Sequence, residues 1–182
     1  MLTPLQTMKL AWYFRVYDVD DDGRLGLLDF ERVIENVRVL HGLGAGSPQD
    51  QPLRHAFMQR WEALRDSADT NRDGSVDLTE WLHYWGVVIE DDDRYDSEVA
   101  SIASLLFGIF DTDGDGVIGP DEFCDYYNVY GLSAALARQV FMDLDADGDG
   151  AMSLLELMDI VHEFFRGDDR HAPGNRLFGP YE

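Results

Sequence analysis

A chain of 182 residues that is 45% hydrophobic and 12% aromatic has the material for a packed core, which excludes a disordered acidic tail. Its formal charge of -22 repels nucleic-acid phosphates and anionic lipid headgroups while concentrating cations, so no nucleic-acid partner is expected. The one cysteine, Cys124, rules out an intrachain disulfide, and no apolar stretch approaches membrane-spanning length, so a soluble, cytoplasmic monomer is expected.

Thr3 followed by Pro4 marks the start of a first helix, which carries Phe14 and Tyr17 up to the segment DVDDDGRLGLLD, Asp18 to Asp29. There, carboxylates stand at the first, third and fifth places, glycine is sixth, Leu25 is eighth, and Asp29 closes the dodecamer. Phe30, Val33, Ile34 and Val37 then recur at helical spacing. GLGAGSPQDQP, Gly42 to Pro52, reads as a linker.

The same dodecamer returns as DTNRDGSVDLTE, Asp69 to Glu80, between two further helices. EDDDRYD, Glu90 to Asp96, reads as a solvated linker joining two halves, with the next helix starting at Ser97 and Glu98. DTDGDGVIGPDE, Asp111 to Glu122, and DADGDGAMSLLE, Asp145 to Glu156, complete the repeats, with Ser133 starting the helix between them. Leu157, Ile160, Val161 and Phe164 form the last apolar stripe. The tail RGDDRHAPGNRLFGPYE carries Leu177 and Phe178, an apolar pair able to fold back over the core.

The expected fold is all-α, eight helices in four helix-loop-helix units, grouped as residues 1-89, 97-165 and a tail of 166-182. The first two loops begin 51 residues apart and the last two 34. An apolar eighth place lets paired loops bridge, so Leu25 faces Val76 and Ile118 faces Met152.

Calcium is a hard cation that takes about six to eight oxygens, and a twelve-residue loop supplies them from fixed places. The sixth place turns sharply, which glycine does without steric cost. The candidate donors are Asp18, Asp20, Asp22, the Arg24 carbonyl and Asp29 in the first loop. Asp69, Asn71, Asp73, the Ser75 carbonyl and Glu80 follow in the second, with Asp77 at its ninth place. The third offers Asp111, Asp113, Asp115, the Val117 carbonyl and Glu122, with Gly119 leaving the ninth place to water. The fourth offers Asp145, Asp147, Asp149, the Ala151 carbonyl and Glu156. Asp143 lies outside this frame, because a loop begun there ends at Leu154, which cannot close the shell.

Asp29 is one methylene shorter than the glutamates of the other loops. A shorter arm lowers the coordination number toward the six that magnesium prefers, so the first site is expected to be weaker or mixed calcium/magnesium. No phosphate-cradling loop or activated nucleophile appears. Cys124 has no nearby histidine and reads as a packed thiol, so no enzyme is expected.

Four dodecamers of this pattern identify EF-hands. With their unequal spacing and the ending APGNRLFGP, they resemble the sarcoplasmic calcium-binding protein family and its bacterial calerythrin- and calexcitin-like relatives over essentially the whole chain. The resemblance implies two EF-hand pairs in one globule and a role as cytosolic calcium buffer or transporter. The alternatives are a sensor that opens an apolar groove to a protein target, and a luciferin-binding or photoprotein-like activity. Six methionines against ten phenylalanines, eight tyrosines and four tryptophans favour a fixed core over an adaptable groove. His162 has no tryptophan near it in sequence, since none follows Trp85.

Overall fold

The computed structural model describes residues 1-48 and 50-181. Thr3 Oγ1 accepts the Gln6 N–H and the Gln6 side chain accepts the Thr3 N–H, so α1 (Pro4–Tyr17) starts where reciprocal capping places it. The chain then runs through β1 (Arg24–Leu25), α2 (Leu27–His41), α3 (Asp50–Ala68), β2 (Val76–Asp77) and α4 (Leu78–Glu90). The second half comprises α5 (Asp92–Phe110), β3 (Val117–Ile118), α6 (Pro120–Val129), α7 (Ala134–Leu144), β4 (Met152–Ser153) and α8 (Leu154–Arg166). A 3-10 turn follows at Pro173–Arg176.

The strands pair antiparallel in two ribbons, with Leu25 opposite Val76 and Ile118 opposite Met152, the register expected from the eighth places. All four of these side chains are buried, so each ribbon pins two loops back to back.

Two boundaries differ from the sequence reading. The acidic run is not a linker: only Asp91 separates α4 from α5, and the helix begins at Asp92 rather than at Ser97. Asp91 accepts the Arg94 N–H as the cap, and Asp92 and Asp93 occupy the first turn, where the helix dipole favours negative charge. Buried Tyr95 then anchors that turn in the core. The Gly/Pro linker is also shorter than expected, since α3 takes in Asp50 and Pro52, and proline is tolerated in a first turn. Gly42 ends α2 in the left-handed region (φ 62°), and Arg38 binds the buried Asp50 carboxylate at 2.5 Å, closing the connection.

The halves interlock. Helix α1 packs against α4 of its own half and α8 of the other, and α2 packs against α6. Tyr13 sits at the junction with edge-on contacts to Trp81, Phe164 and Phe165 and a stacked contact, centroids 4.0 Å apart, with Phe178. Trp85 stacks on Phe165 at 4.2 Å.

The tail closes this aromatic centre. Leu177 and Phe178 are buried, Trp12 Nε1 donates to the Phe178 carbonyl at 2.8 Å, and Tyr127 Oη donates to the Arg176 carbonyl at 3.0 Å. Beside Leu177 the space left among Leu106, Phe110, Ile118, Tyr126 and Met152 is about 10 Å³, room for one water molecule at most. Lys9, the one lysine in the chain, is fully buried beneath the tail. Its Nζ donates to the carbonyls of Glu163 and Gly167 and to Asn175 Oδ1, at 3.2, 2.9 and 2.8 Å, so every N–H has an acceptor. No helix among the described residues is long and apolar enough to cross a membrane.

Candidate metal centres

Each dodecamer leaves one helix and enters the next through a tight, repeated backbone path. The sixth-place glycines Gly23, Gly74, Gly116 and Gly150 all have φ between 81° and 88°, the left-handed region that a side chain would strain. Their N–H groups each donate to the first-place aspartate of the same loop, at 2.9 to 3.2 Å. Fifth-place Asp22, Asp73, Asp115 and Asp149 each accept the N–H two residues on, at 2.8 to 3.0 Å. Backbone donors thus orient the carboxylates inward while leaving further lone pairs free.

In three loops this gathers carboxylates tightly. One oxygen each of Asp18, Asp20 and Asp22 lie within 4.8 Å of one another, as do those of Asp111, Asp113 and Glu122, and those of Asp145, Asp147 and Glu156. Three anionic oxygens this close repel one another, and a small divalent cation matches both the charge and the chemistry of the set. Asp29 is not in the first trio, and Asp115 and Asp149 are not in the third and fourth. Among the described residues no such trio forms in the second loop, whose third place is the amide Asn71.

The last places differ in how they are held. Glu80 Oε1 accepts from the Thr70 N–H and hydroxyl and the Asn71 N–H, and Oε2 accepts from the Asp77 N–H, all between 2.9 and 3.1 Å. Glu122 is bound in the same way by Thr112 and Gly119 at 2.8 Å. Burial opposes ionisation of both carboxyls, but these donors outweigh it and hold each below the usual glutamate range. Glu156 is oriented by the Ser153 N–H and hydroxyl through Oε2, at 2.9 and 2.7 Å.

Asp29 is 3% exposed, and its Oδ1 and Oδ2 accept the Val19 and Gly26 N–H groups, at 3.1 and 2.8 Å. Here burial wins over the donors, helped by the negative charges of Asp20 and Asp18, and the carboxyl is raised. Val19, at the second place, has no hydroxyl to offer where Thr70 and Thr112 do.

Those two threonines were missed by sequence reasoning, although their recurrence at the second place of two loops was a readable signal. Asp77, named for the ninth place, also caps α4, its Oδ1 accepting the Thr79 and Glu80 N–H groups at 2.8 and 2.9 Å. Asp143 lies outside the cages and pairs with Arg176 of the tail at 2.6 Å. Hydrogen bonds from Ser75 and the Arg24 guanidinium hold the Asp73 carboxyl down at about 2. His162 Nδ1 lies 3.3 Å from Tyr95 Oη, whose ring is covered by the Arg166 guanidinium at 3.8 Å.

Family models for an EF-hand domain pair match residues 7-86 and 100-130, and one for a single EF hand matches 137-161. Calerythrin of Saccharopolyspora erythraea is 28% identical over 169 residues, covering 92% of this chain and 96% of its own. A calcium-binding protein of Streptomyces coelicolor, solved in work on prokaryotic calcium-mediated regulation, superposes with a TM-score of 0.72 at 25% identity. That match covers 88% of this chain and 98% of the other. The amphioxus sarcoplasmic calcium-binding protein shares the fold, with a TM-score of 0.76 at 21% identity and 99% of each chain covered.

Proposed function

Starting from a chain that belongs to the EF-hand calcium-binding proteins of the sarcoplasmic and calerythrin type, we propose that it buffers or carries calcium in the cytoplasm as a monomer. In this reading all four loops take up ions. The carboxylates and carbonyls of Asp18, Asp20, Asp22, Arg24 and Asp29 serve the first, which also accepts magnesium. Asp69, Asn71, Asp73, Ser75 and Glu80 serve the second. Asp111, Asp113, Asp115, Val117 and Glu122 serve the third, and Asp145, Asp147, Asp149, Ala151 and Glu156 the fourth. Loading relieves the repulsion within each loop and lets the paired helices pack, so uptake and folding are linked.

The observation that carries the buffer reading is the tail. Leu177 and Phe178 occupy the apolar cleft of the second pair, and Tyr13 joins that cleft to the core of the first pair. Opening a groove for a target helix would dismantle the shared aromatic centre, whereas a sensor must expose apolar surface on loading. One feature favours the sensor as a second reading. An open groove of about 660 Å³ lies between α2, α3 and α5, lined by Val37, Leu43, Leu53, Leu105 and Ile109, with Asp111 of the third loop also on its wall. Fluorescence of an apolar dye with and without calcium separates the two. A buffer loses dye binding on loading, and a sensor gains it.

A further inference from the structure

The two loops of the first pair touch through a side chain that neither cage requires. Arg24, seventh in its loop, stands opposite Asp77 across the β1–β2 ribbon, and this register directs its side chain onto the neighbouring loop. Its Nη1 lies 2.6 Å from Asp73 Oδ2 and 2.8 Å from Ser75 Oγ. The other oxygen, Asp73 Oδ1, accepts the Ser75 N–H at 3.0 Å and the Ser75 hydroxyl at 2.7 Å. Both oxygens of the fifth-place carboxylate in the second loop are therefore engaged, one of them by a charge that never titrates away. The seventh places of the other loops are Ser75, Val117 and Ala151, none of them cationic. Among the described residues Asp115 and Asp149 face no such partner, and their Oδ1 atoms accept only the backbone N–H groups of Val117 and Ala151.

The geometry points to Arg24 as the residue that sets the second site's affinity: a resident cation that an incoming metal ion must displace from Asp73. The inference rests on the reading of the second loop as a calcium site. Arg24 and Asp73 are half and about one-third exposed, at 50% and 36%, so solvent screens the pair and its bond is of the modest surface kind. Its effect on a divalent ion has two sources. The bond to Asp73 has to be given up, and the displaced guanidinium, tethered to the ribbon, stays close enough to repel the ion. The third and fourth sites carry neither cost, and in the first the nearest guanidinium, Arg32, lies 3.6 Å from Asp20, a longer contact than the one on Asp73. The second loop, which already has a neutral amide at its third place, then carries a further cost that originates in its neighbour.

The test uses the full chain labelled at glycine. The N–H groups of Gly23, Gly74, Gly116 and Gly150 each report on their own loop, because each donates to that loop's first-place aspartate. Under calcium titration, Arg24→Gln is expected to move the Gly74 amide at about three- to tenfold lower free calcium than wild type, with Gly116 and Gly150 unmoved. Val117→Arg places a guanidinium opposite Ser153 in the other ribbon. It is expected to raise the calcium needed to shift Gly150 by a similar factor. A Gly74 midpoint unchanged in Arg24→Gln overturns the inference. Asp73→Asn separates its failure from that of the underlying reading. If that variant titrates at Gly74 like wild type, the loop is not the proposed site and both fail. If it weakens Gly74 while Arg24→Gln does nothing, the site stands and the role of Arg24 falls.

Discussion

Phe178→Ala probes whether the tail is part of the core or an ornament on it. The ring is 2% exposed, stacks on Tyr13 with centroids 4.0 Å apart, and meets Phe164 edge-on at 4.8 Å. The neighbouring void is only about 10 Å³, so the surroundings have little slack with which to collapse around a missing ring. Truncating a phenylalanine in such a setting costs about 3-5 kcal/mol, from lost transfer energy and the cavity left behind. For a chain of this size each kcal/mol corresponds to roughly 2-4 °C, so the melting temperature should fall by about 6-20 °C. Differential scanning calorimetry in saturating calcium measures it, with Leu155→Ala, 78% exposed, as a control expected to change stability by less than about 0.5 kcal/mol. A loss below about 1 kcal/mol for Phe178→Ala would refute the tail's place in the core, and with it the main support for a buffer.

Asp29→Glu is expected to raise calcium affinity at the first loop and weaken magnesium competition, and unchanged values for both ions in titration calorimetry would contradict the short-arm argument. Thr112→Ala removes the hydroxyl that orients Glu122 and should weaken the third site about tenfold. A Gly116 amide that titrates as in wild type would show that the hydroxyl contributes nothing. Burial holds the Lys9 ammonium down at about 8 in the folded chain, against the attraction of Asp168 and Glu163, while its ordinary value is 10.5. Between these values the unfolded chain binds more protons, so this group makes stability rise with pH across that window. Urea unfolding at pH 8 and 9.5 should show that rise relative to Lys9→Met, which is itself destabilised by roughly 2-4 kcal/mol because three acceptors lose their donor. Parallel pH profiles would sink the assignment. Chelation with EDTA should lower the melting temperature, and a melting temperature indifferent to EDTA would remove the link between uptake and folding.

What could be read in advance was local. Each place of a dodecamer has its own chemistry, so the loop frames, the sixth-place glycines and the Leu25–Val76 and Ile118–Met152 pairings followed from the alphabet alone. The start of α5 did not, because aspartates serve equally in a solvated linker and in a helix cap, and only buried Tyr95 decides between them. Pro52 misled for a related reason: a proline after glycines signals a loop, yet the first turn of a helix accepts it. The remaining surprises are contacts between segments far apart in sequence. Arg24 was read for its carbonyl, and nothing in its own loop announces that its guanidinium reaches Asp73. Nothing near Lys9 in the sequence announces that the carbonyls of Glu163 and Gly167 and the Asn175 amide, all more than 150 residues on, supply its acceptors.

The most direct test of the whole account is native mass spectrometry of the full chain exchanged into calcium-containing volatile buffer. The account predicts a dominant species carrying four calcium ions, reduced to three by Glu122→Gln. A protein that emerges folded and metal-free at micromolar calcium would contradict it.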